Sequence, residues 1–274
     1  MNIIFVYGTL LKGMERFNVL SNSQFIDHGY TEAILYDLGE YPAITKGNKT
    51  VYGELYKIDD EILNVLDRIE GYFPDDLDQS LYIRKEVDVT LFKDGSQTKT
   101  LTYFYNQPIT TNESISYGDY RRYIAEENYD KQWYIAYGSN ISSKRLMQRI
   151  GQPDEIKTGY LEGYKLMFNK RANRGGVYAN VAYWGSEYRC PFAAYRISLE
   201  QLKILDKCEG EPSHYVRVGI PFSDRSDNFS QIGHIYIAHP NYLKKNSEPS
   251  SDYLKYIIDG YEEHGFDTNS LPEL

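Results

Sequence analysis

The sequence predicts an α+β fold that occurs twice in the chain, each half a curved sheet or small β-barrel with helices packed against it. Three observations support this prediction. The 274 residues exceed one typical domain and suffice for two. Runs of β-branched and aromatic residues outnumber helical patterns, and the same landmarks recur in both halves. The predicted domains are residues 1–128 and 129–274.

The repeat consists of an apolar run that ends in Tyr-Gly-(Thr/Ser), a Leu-Asp-x-x-Glu-Gly segment and a Tyr-x-Arg triplet. These landmarks lie at residues 3–10, 56–72 and 82–84 in the first half and at 133–140, 195–211 and 215–217 in the second. Their order is the same and their spacing differs only by loop-sized insertions. Internal similarity of this kind indicates a tandem duplication.

Four segments of the first half are predicted strands because they are rich in β-branched and aromatic residues and partly alternate. They are residues 2–7, 51–58, 82–92 and 99–106. The polar, turn-rich segment 106–116 and the short amphipathic stretch after it indicate the junction between the halves.

An amphipathic helix is predicted before each Glu-Gly pair. Residues 59–69 carry apolar side chains at helical spacing behind Asp59, a typical N-cap. The second half repeats the pattern behind Ser198, with Cys208 on the apolar stripe. A further helix is predicted after the second Tyr-Gly turn, at residues 142–150.

Composition excludes several classes of protein. A net charge of −9 without a basic run argues against nucleic-acid binding. No apolar segment has the length of a membrane span, and the N-terminus lacks the features of a signal peptide. The two cysteines, Cys190 and Cys208, are too few for a disulfide framework or a zinc cage. We therefore expect a cytoplasmic protein without metal or cofactor.

The two Tyr-Gly turns are candidate binding sites. They comprise Tyr7, Gly8, Thr9 and Leu10 in the first half and Tyr137, Gly138, Ser139 and Asn140 in the second. We expect each Gly to permit a positive φ and to leave main-chain N–H groups open to a carboxylate or an oxyanion. The alternative is an ordinary strand-to-helix turn. A phosphate loop is excluded because Met14 stands where its lysine is needed.

Glu70 and Glu209 are the candidate catalytic residues. Each ends a predicted helix, where the helix dipole disfavours the carboxylate and raises its pKa toward a value useful for proton transfer. The alternative is a solvated Glu beside a Gly C-cap. Cys208 and His214 are an alternative nucleophile and base, but Ile69 replaces Cys208 in the first half, which favours a core position for this cysteine.

As a set, these motifs resemble the gamma-glutamylcyclotransferase-like family. The first half, with VYGTLLKG and LDRIEGY, is similar to its AIG2-like, gamma-glutamylamine cyclotransferase branch. The second, with YIAYGSN and LDKCEG, is more similar to the gamma-glutamylcyclotransferases proper. The resemblance implies small mixed barrels with flanking helices, acid–base catalysis by Glu70 and Glu209, substrate-cradling turns, and Tyr82 and Tyr215 as pocket neighbours.

The implied substrate is a small gamma-glutamyl amino acid or gamma-glutamylamine, and the implied products are 5-oxoproline and a free amine. Two alternatives stay open: a non-catalytic module that binds a small metabolite in one or both halves, and a related amide hydrolase. The halves also depart from each other. Phe192 replaces Gly53, which we expect to reshape the second pocket, and Asn140 replaces Leu10.

Overall fold

The computed structural model describes residues 1–110, 113–172, 175–224 and 230–272. The chain divides into two units, residues 1–123 and 124–274. Both mix strands and helices, which confirms the α+β class. Within the described residues, no helix is both long enough and apolar enough to span a membrane.

The first unit is a closed five-stranded barrel in which β1 lies between β3 and β5. Its strands are β1 (Asn2–Val6), β2 (Gln24–Asp37), β3 (Pro42–Ile58), β4 (Tyr82–Leu91) and β5 (Gln97–Tyr105). β1 pairs parallel with β5 at Ile4 and antiparallel with β3. Strand β2 was not predicted. Its pairing with β3 shifts register twice, and such irregularities interrupt the alternation of apolar and polar residues that identifies a strand.

Helix α1 (Asp60–Ile69) belongs to the first unit, and α2 (Tyr120–Asn128) includes the boundary between residues 123 and 124. Asp59 caps α1 as predicted, because its carboxylate accepts a hydrogen bond from the Ile62 N–H at 2.9 Å. Leu63 and Leu66 are the buried side chains of α1. The helix therefore packs by its apolar face and brings its C-terminal end, with Glu70, to the rim of the barrel.

The strands of the second unit form a five-stranded sheet, in the order β11-β12-β6-β10-β7, and a separate two-stranded sheet, β8-β9. Their ranges are β6 (Lys131–Ala136), β7 (Glu155–Glu162), β8 (Tyr164–Arg171), β9 (Val177–Tyr183), β10 (Arg189–Ser198), β11 (Tyr215–Phe222) and β12 (Gln231–Ala238). β6 pairs antiparallel with β10 and parallel with β12, as β1 does with β3 and β5. The strand pairing thus repeats the duplication seen in the sequence.

The helices of the second unit are α3 (Ser143–Ile150), α4 (Leu199–Glu209) and α5 (Ser251–Glu263). α3 follows the second Tyr-Gly turn as predicted. α4 begins with a capping box in which Ser198 and Gln201 satisfy each other's main-chain N–H groups. It ends at Gly210, which adopts the left-handed conformation with φ of 69°.

Phe192 does not reshape a pocket, and that expectation was wrong. Its side chain is fully buried, and its ring fills the space above Gly159, where an added Cβ would lie 2.7 Å from the ring. In the first unit Gly53 leaves the equivalent space to the ring of Phe5. The two units thus fill their cores with aromatic rings from different strands, so the difference concerns packing.

Candidate active site

Glu70 lies at the C-cap of α1, where its main-chain N–H bonds to the Leu66 carbonyl at 2.9 Å. Its side chain lines a cavity of about 100 Å³, which we call the first cavity. The other walls are the Tyr7–Leu10 turn, Arg16, Pro42, Tyr82 and Tyr103. The structure therefore brings together the turn, the Glu and the Tyr that the sequence predicted for the first half.

The Glu70 carboxylate makes no side-chain hydrogen bond or ion pair with another described residue. Burial raises the pKa of this carboxyl to about 7, and the Arg16 guanidinium opposes the shift only in part. The sequence predicted a raised pKa from the helix dipole, whereas burial is its main cause. A carboxyl with this pKa can take up and release a proton near neutral pH.

The end of α1 is held by a neighbouring carboxylate, Asp67. Arg84 donates to Asp67 Oδ2 at 2.5 Å, and the Tyr103 hydroxyl donates to Oδ1 at 2.7 Å. These contacts explain why Leu-Asp-x-x-Glu-Gly and Tyr-x-Arg occur together: the Asp and the Arg join the helix end to strand β4. Both motifs are visible in the sequence, but neither Asp67 nor Tyr103 was predicted to have a role.

The second unit contains the same anchor. Arg217 binds Asp206 through two hydrogen bonds of 2.7 and 3.0 Å, and the Tyr236 hydroxyl donates to Asp206 Oδ1 at 2.7 Å. Arg217 also pairs with Glu126 at 2.5 Å. The anchor is therefore a property of the repeated unit, and it places Glu209 as its counterpart places Glu70.

The glycines of the Tyr-Gly turns serve close packing. Neither Gly8 nor Gly138 adopts a positive φ, so that expectation was wrong. A Cβ on Gly8 would lie 2.4 Å from Pro42 Cγ, and a Cβ on Gly138 would lie 3.0 Å from Ala179 Cβ. Glycine is needed because another segment approaches the turn closely.

The turns leave main-chain donors open, as predicted. The N–H groups of Thr9 and Leu10 donate to no acceptor within the described residues, and the same holds for Ser139 and Asn140. The Gly8 carbonyl, by contrast, accepts from the Leu11 N–H at 3.0 Å. Each turn therefore offers two adjacent donors that could bind a carboxylate or an oxyanion.

The four tyrosines predicted at the sites use their hydroxyls within the fold. In the first unit, the Tyr7 hydroxyl donates to the main-chain carbonyl of Tyr103, and the Tyr82 hydroxyl donates to that of Pro42. In the second unit, Tyr137 donates to the carbonyl of Tyr236 and Tyr215 to that of Ala179. All four distances lie between 2.5 and 2.8 Å. Their rings line the cavities. They thus shape the walls, and burial raises the pKa of every one of these hydroxyls.

Glu209 has different neighbours from Glu70. Its Oε1 accepts from Arg149 at 2.7 Å and from the side-chain amide of Asn140 at 3.0 Å. Leu10, at the position equivalent to Asn140, offers no such donor in the first unit. The Glu209 carboxylate is therefore already engaged as an ion-pair and hydrogen-bond acceptor, whereas Glu70 is free to exchange a proton.

Two adjoining cavities surround Glu209, and we call them together the second cavity. The inner part contains the Tyr137–Asn140 turn, and the outer part contains Cys208 and His214. Cys208 is exposed, so its predicted core position was wrong. Within the described residues no group of three or more His, Cys, Asp or Glu side chains could hold a metal ion.

The chain is similar to several known proteins. Residues 4–122 match the family model "Gamma-glutamyl cyclotransferase, AIG2-like", and residues 192–273 match the AIG2-like family. The gamma-glutamylcyclotransferase family protein YtfP of Escherichia coli K12 is 32% identical over 43% of this chain and 94% of its own length. The gamma-L-glutamyl-butirosin B gamma-glutamyl cyclotransferase of Niallia circulans is 31% identical over 38% and 67% of the two chains. The crystal structure of YkqA from Bacillus subtilis has the same fold, with a TM-score of 0.75 at 23% identity over 96% of this chain and 92% of that one.

Proposed function

The chain belongs to the gamma-glutamylcyclotransferase family, and from that premise we propose that its first unit converts a gamma-glutamyl amino acid or gamma-glutamylamine to 5-oxoproline and a free amine. Glu70 is the general acid–base of this reaction. The observation that carries the proposal is the Glu70 carboxyl itself, free of ion pairs among the described residues, with a pKa near 7, in one cavity with two open main-chain donors.

The reaction moves two protons from the substrate's α-nitrogen to the leaving amine and needs no water. The ionised Glu70 first takes a proton from the α-ammonium group, and the neutral amine then attacks the side-chain carbonyl carbon of the same glutamyl group. A new C–N bond closes the five-membered ring. As the original amide C–N bond breaks, protonated Glu70 gives its proton to the leaving amine, a role typically worth about 10²–10⁴-fold in rate. The ionised Glu70 then takes the second proton from the ring nitrogen, which leaves the neutral lactam, and passes it to the released amine.

The remaining groups of the first cavity hold the substrate. The N–H groups of Thr9 and Leu10 are donors for the oxyanion that develops on the attacked carbonyl. Arg16 is a cation on the wall of the same cavity, suited to the substrate's α-carboxylate. Holding amine and carbonyl at near-attack distance supplies much of the remaining acceleration in a ring closure.

The proposal is tested by measuring 5-oxoproline from a panel of gamma-glutamyl amino acids and gamma-glutamylamines. The panel includes a bulky amine because the Niallia circulans relative is named for a gamma-glutamyl group on butirosin B. Wild type is expected to release 5-oxoproline, and Glu70→Gln is expected to lose the activity. Glu209→Gln is the matched control and is expected to retain it. Free glutamate as the product would instead indicate a hydrolase, and no release from any substrate would contradict the proposal.

The pH profile tests the role of Glu70 separately. A base with a pKa of about 7 must be ionised to accept the ammonium proton, so kcat/KM is expected to rise with pH and to level off above about 7. The measurement is initial-rate kinetics between pH 5 and 8.5. A kcat/KM that is already constant from pH 5 upward would contradict general-base catalysis by Glu70.

A further inference from the structure

The outer part of the second cavity carries an excess of positive charge. Four cationic side chains line it, against one carboxylate: Arg145, Arg149, Lys170, Lys207 and Glu209. The chain as a whole has a net charge of −9. A cation-lined recess in an acidic protein attracts anions because its field is opposite to that of the rest of the surface.

Most of this charge has no counter-ion within the described residues. Arg149 pairs with Glu209 at 2.7 Å, which accounts for the one carboxylate. Arg145 donates to the Ser139 hydroxyl at 3.0 Å and stacks on the Tyr256 ring at 4.1 Å, but neither group is an anion. Part of the Arg145 guanidinium thus remains for a ligand beside the second Tyr-Gly turn.

Lys170 is the most unusual member, because it is only 3% exposed and makes no ion pair within the described part of the chain. Its ammonium lies 5.2–5.6 Å from the ring centres of Tyr178, Tyr215 and Tyr242. Its Nζ lies 3.1 Å from His214 Nδ1. Burial lowers the pKa of Lys170, against an opposing effect of Glu209. A buried cation is costly unless an anion approaches it.

The inner part of the second cavity contains a hydrogen-bond acceptor without a partner among the described residues. Asn140 is 4% exposed, and its Oδ1 accepts no hydrogen bond within the described residues. Its Nδ2 already donates to Tyr134 and Glu209, which fixes the orientation of the amide. A buried acceptor without a protein partner can accept a hydrogen bond from a hydroxyl or amine of a bound molecule.

We propose that the second cavity is a binding site for a small polyanion that carries a hydroxyl or amine donor. Its anionic groups contact Lys170 and Arg145, and its donor reaches Asn140 Oδ1. The site goes beyond the proposed cyclotransferase reaction and does not depend on it. Glu209 binds Arg149 on the wall of this site.

Citrate is the first probe because it combines three carboxylates with a hydroxyl, and tricarballylate is the matched probe because it lacks only the hydroxyl. Calorimetric titration at constant ionic strength is expected to show citrate binding more tightly than tricarballylate, with acetate not binding. Inorganic pyrophosphate distinguishes a phosphate ligand from a carboxylate. Equal affinities for citrate and tricarballylate would overturn the role of Asn140.

The variants are Lys170→Gln and Arg145→Gln, each expected to weaken citrate binding by about tenfold or more, the effect of losing one close charge contact. Lys203→Gln removes an exposed cation of the same unit and is the control, expected to bind as wild type. Lys170→Arg keeps the charge and checks that the fold survives a change at this position. Unchanged affinity in both Gln variants would overturn the proposal.

Glu70→Gln separates this inference from the proposed function. The substitution lies in the first unit and leaves the second cavity unchanged, so citrate binding that is retained in Glu70→Gln and weakened in Lys170→Gln is assigned to the second cavity. Loss of 5-oxoproline release with citrate binding retained is the expected pair of results. Failure of either proposal thus leaves the other intact.

Discussion

Glu70 and Glu209 occupy equivalent positions but differ in the partners of their carboxylates. Glu209 has one partner on the neighbouring turn and one on helix α3. Asn140 and Arg149 bind the Glu209 carboxylate, whereas Leu10 faces the first cavity and Glu70 has no such partner among the described residues. A carboxylate that must exchange protons is better left unpaired, because an ion pair favours the charged form. This difference is the basis for assigning proton transfer to Glu70.

An unpaired, desolvated carboxylate is expected to reduce stability at high pH. The folded pKa of Glu70, about 7, lies above its unfolded value of 4.5, so the folded state binds more protons between these values and the free energy of unfolding falls as pH rises through this window. The Glu70→Gln substitution removes this pH-dependent decrease in the free energy of unfolding. The variant is expected to be more stable than wild type at pH 8, while the difference shrinks toward pH 4.5.

Thermal unfolding of both proteins at pH 5 and pH 8 measures this effect. Asp27, whose pKa burial also raises to about 7, titrates in the same window, so the difference between variant and wild type must be compared rather than either curve alone. Glu209→Gln is the control and is expected to lower stability, since it breaks the ion pair with Arg149. A Glu70→Gln protein less stable than wild type at pH 8 would contradict the prediction.

The Tyr-Gly turns make a second prediction at the scale of one residue. Gly8→Ala places a methyl group 2.4 Å from the rigid ring of Pro42, so the turn must shift, and a loss of about 1–3 kcal/mol in stability is expected. Gly138→Ala meets Ala179 at 3.0 Å and is expected to cost less. Chemical denaturation compares the two variants, and an equal or reversed order would count against this explanation of the glycines.

At the scale of single elements, the C-terminal end of α1 determines where Glu70 lies. A helix terminus frays unless side chains hold it, and Asp67 holds this one through Arg84 and Tyr103. Glu70 follows three residues later, so its position over the first cavity depends on the anchor. Asp67, Arg84 and Tyr103 are therefore positioning residues for the proposed acid–base.

Tyr103→Phe tests this dependence, because it removes the hydroxyl bound to Asp67 and leaves the ring. Tyr236→Phe removes the matching hydroxyl from Asp206 in the second unit. Each is expected to lower stability by about 1–3 kcal/mol, the usual effect of losing a hydrogen bond to a charged group. Only Tyr103→Phe is expected to lower kcat for 5-oxoproline release, about tenfold.

Steady-state kinetics and denaturation of both variants test whether the anchor positions Glu70. The kcat effect of Tyr103→Phe should exceed its effect on KM, because the variant keeps the ring on the cavity wall and loses only the hydroxyl that binds Asp67. Equal loss of activity in the two variants would show that the proposed division between the units is wrong.

Sequence patterns predicted helices better than strands. The caps at Asp59 and Ser198 and the helix at Ser143–Ile150 were predicted because capping and helical spacing are local signals. β2 was missed because its bulges break the alternation, and the strand at residues 51–58 proved to be the end of the longer β3. Closure of the barrel depends on pairing between distant segments, which no local pattern reports.

At the scale of the whole molecule, the duplication predicted much of the site but not the positive charge of the second cavity. The recurrence of the landmarks predicted that Glu70 and Glu209 face the Tyr-Gly turns, and both line cavities with them. The cations of the second cavity escaped notice because Lys170, Arg145 and Lys207 lie far apart in the sequence and form no motif. Only the fold brings them together.

The duplication also offers a natural replacement for a buried ion pair of the first unit. Glu54 on β3 pairs with Arg121 at 2.6 Å, and both side chains are 2% exposed. Burial opposes ionisation of Glu54, but Arg121, His28 and the hydrogen bonds from Lys12 and Tyr56 together outweigh it and lower the carboxyl pKa. Ala193 stands opposite Ala136 in the second unit as Glu54 stands opposite Val6 in the first. The fold therefore accepts an apolar residue at this position.

Removing one partner of such a pair leaves a buried, uncompensated charge, so Glu54→Ala and Arg121→Leu are each expected to cost about 3–5 kcal/mol. The double variant is expected to cost less than the sum, because no lone charge remains. Some loss of stability persists in the double variant, since the Lys12 N–H and the Tyr56 hydroxyl also donate to Glu54.

Denaturation must resolve the unfolding of the first unit, because a two-unit chain need not unfold in one step. The exposed pair Lys99–Glu86 is the control and is expected to show no measurable coupling. Strictly additive losses for Glu54 and Arg121 would mean that the two charges do not stabilise each other in the folded barrel.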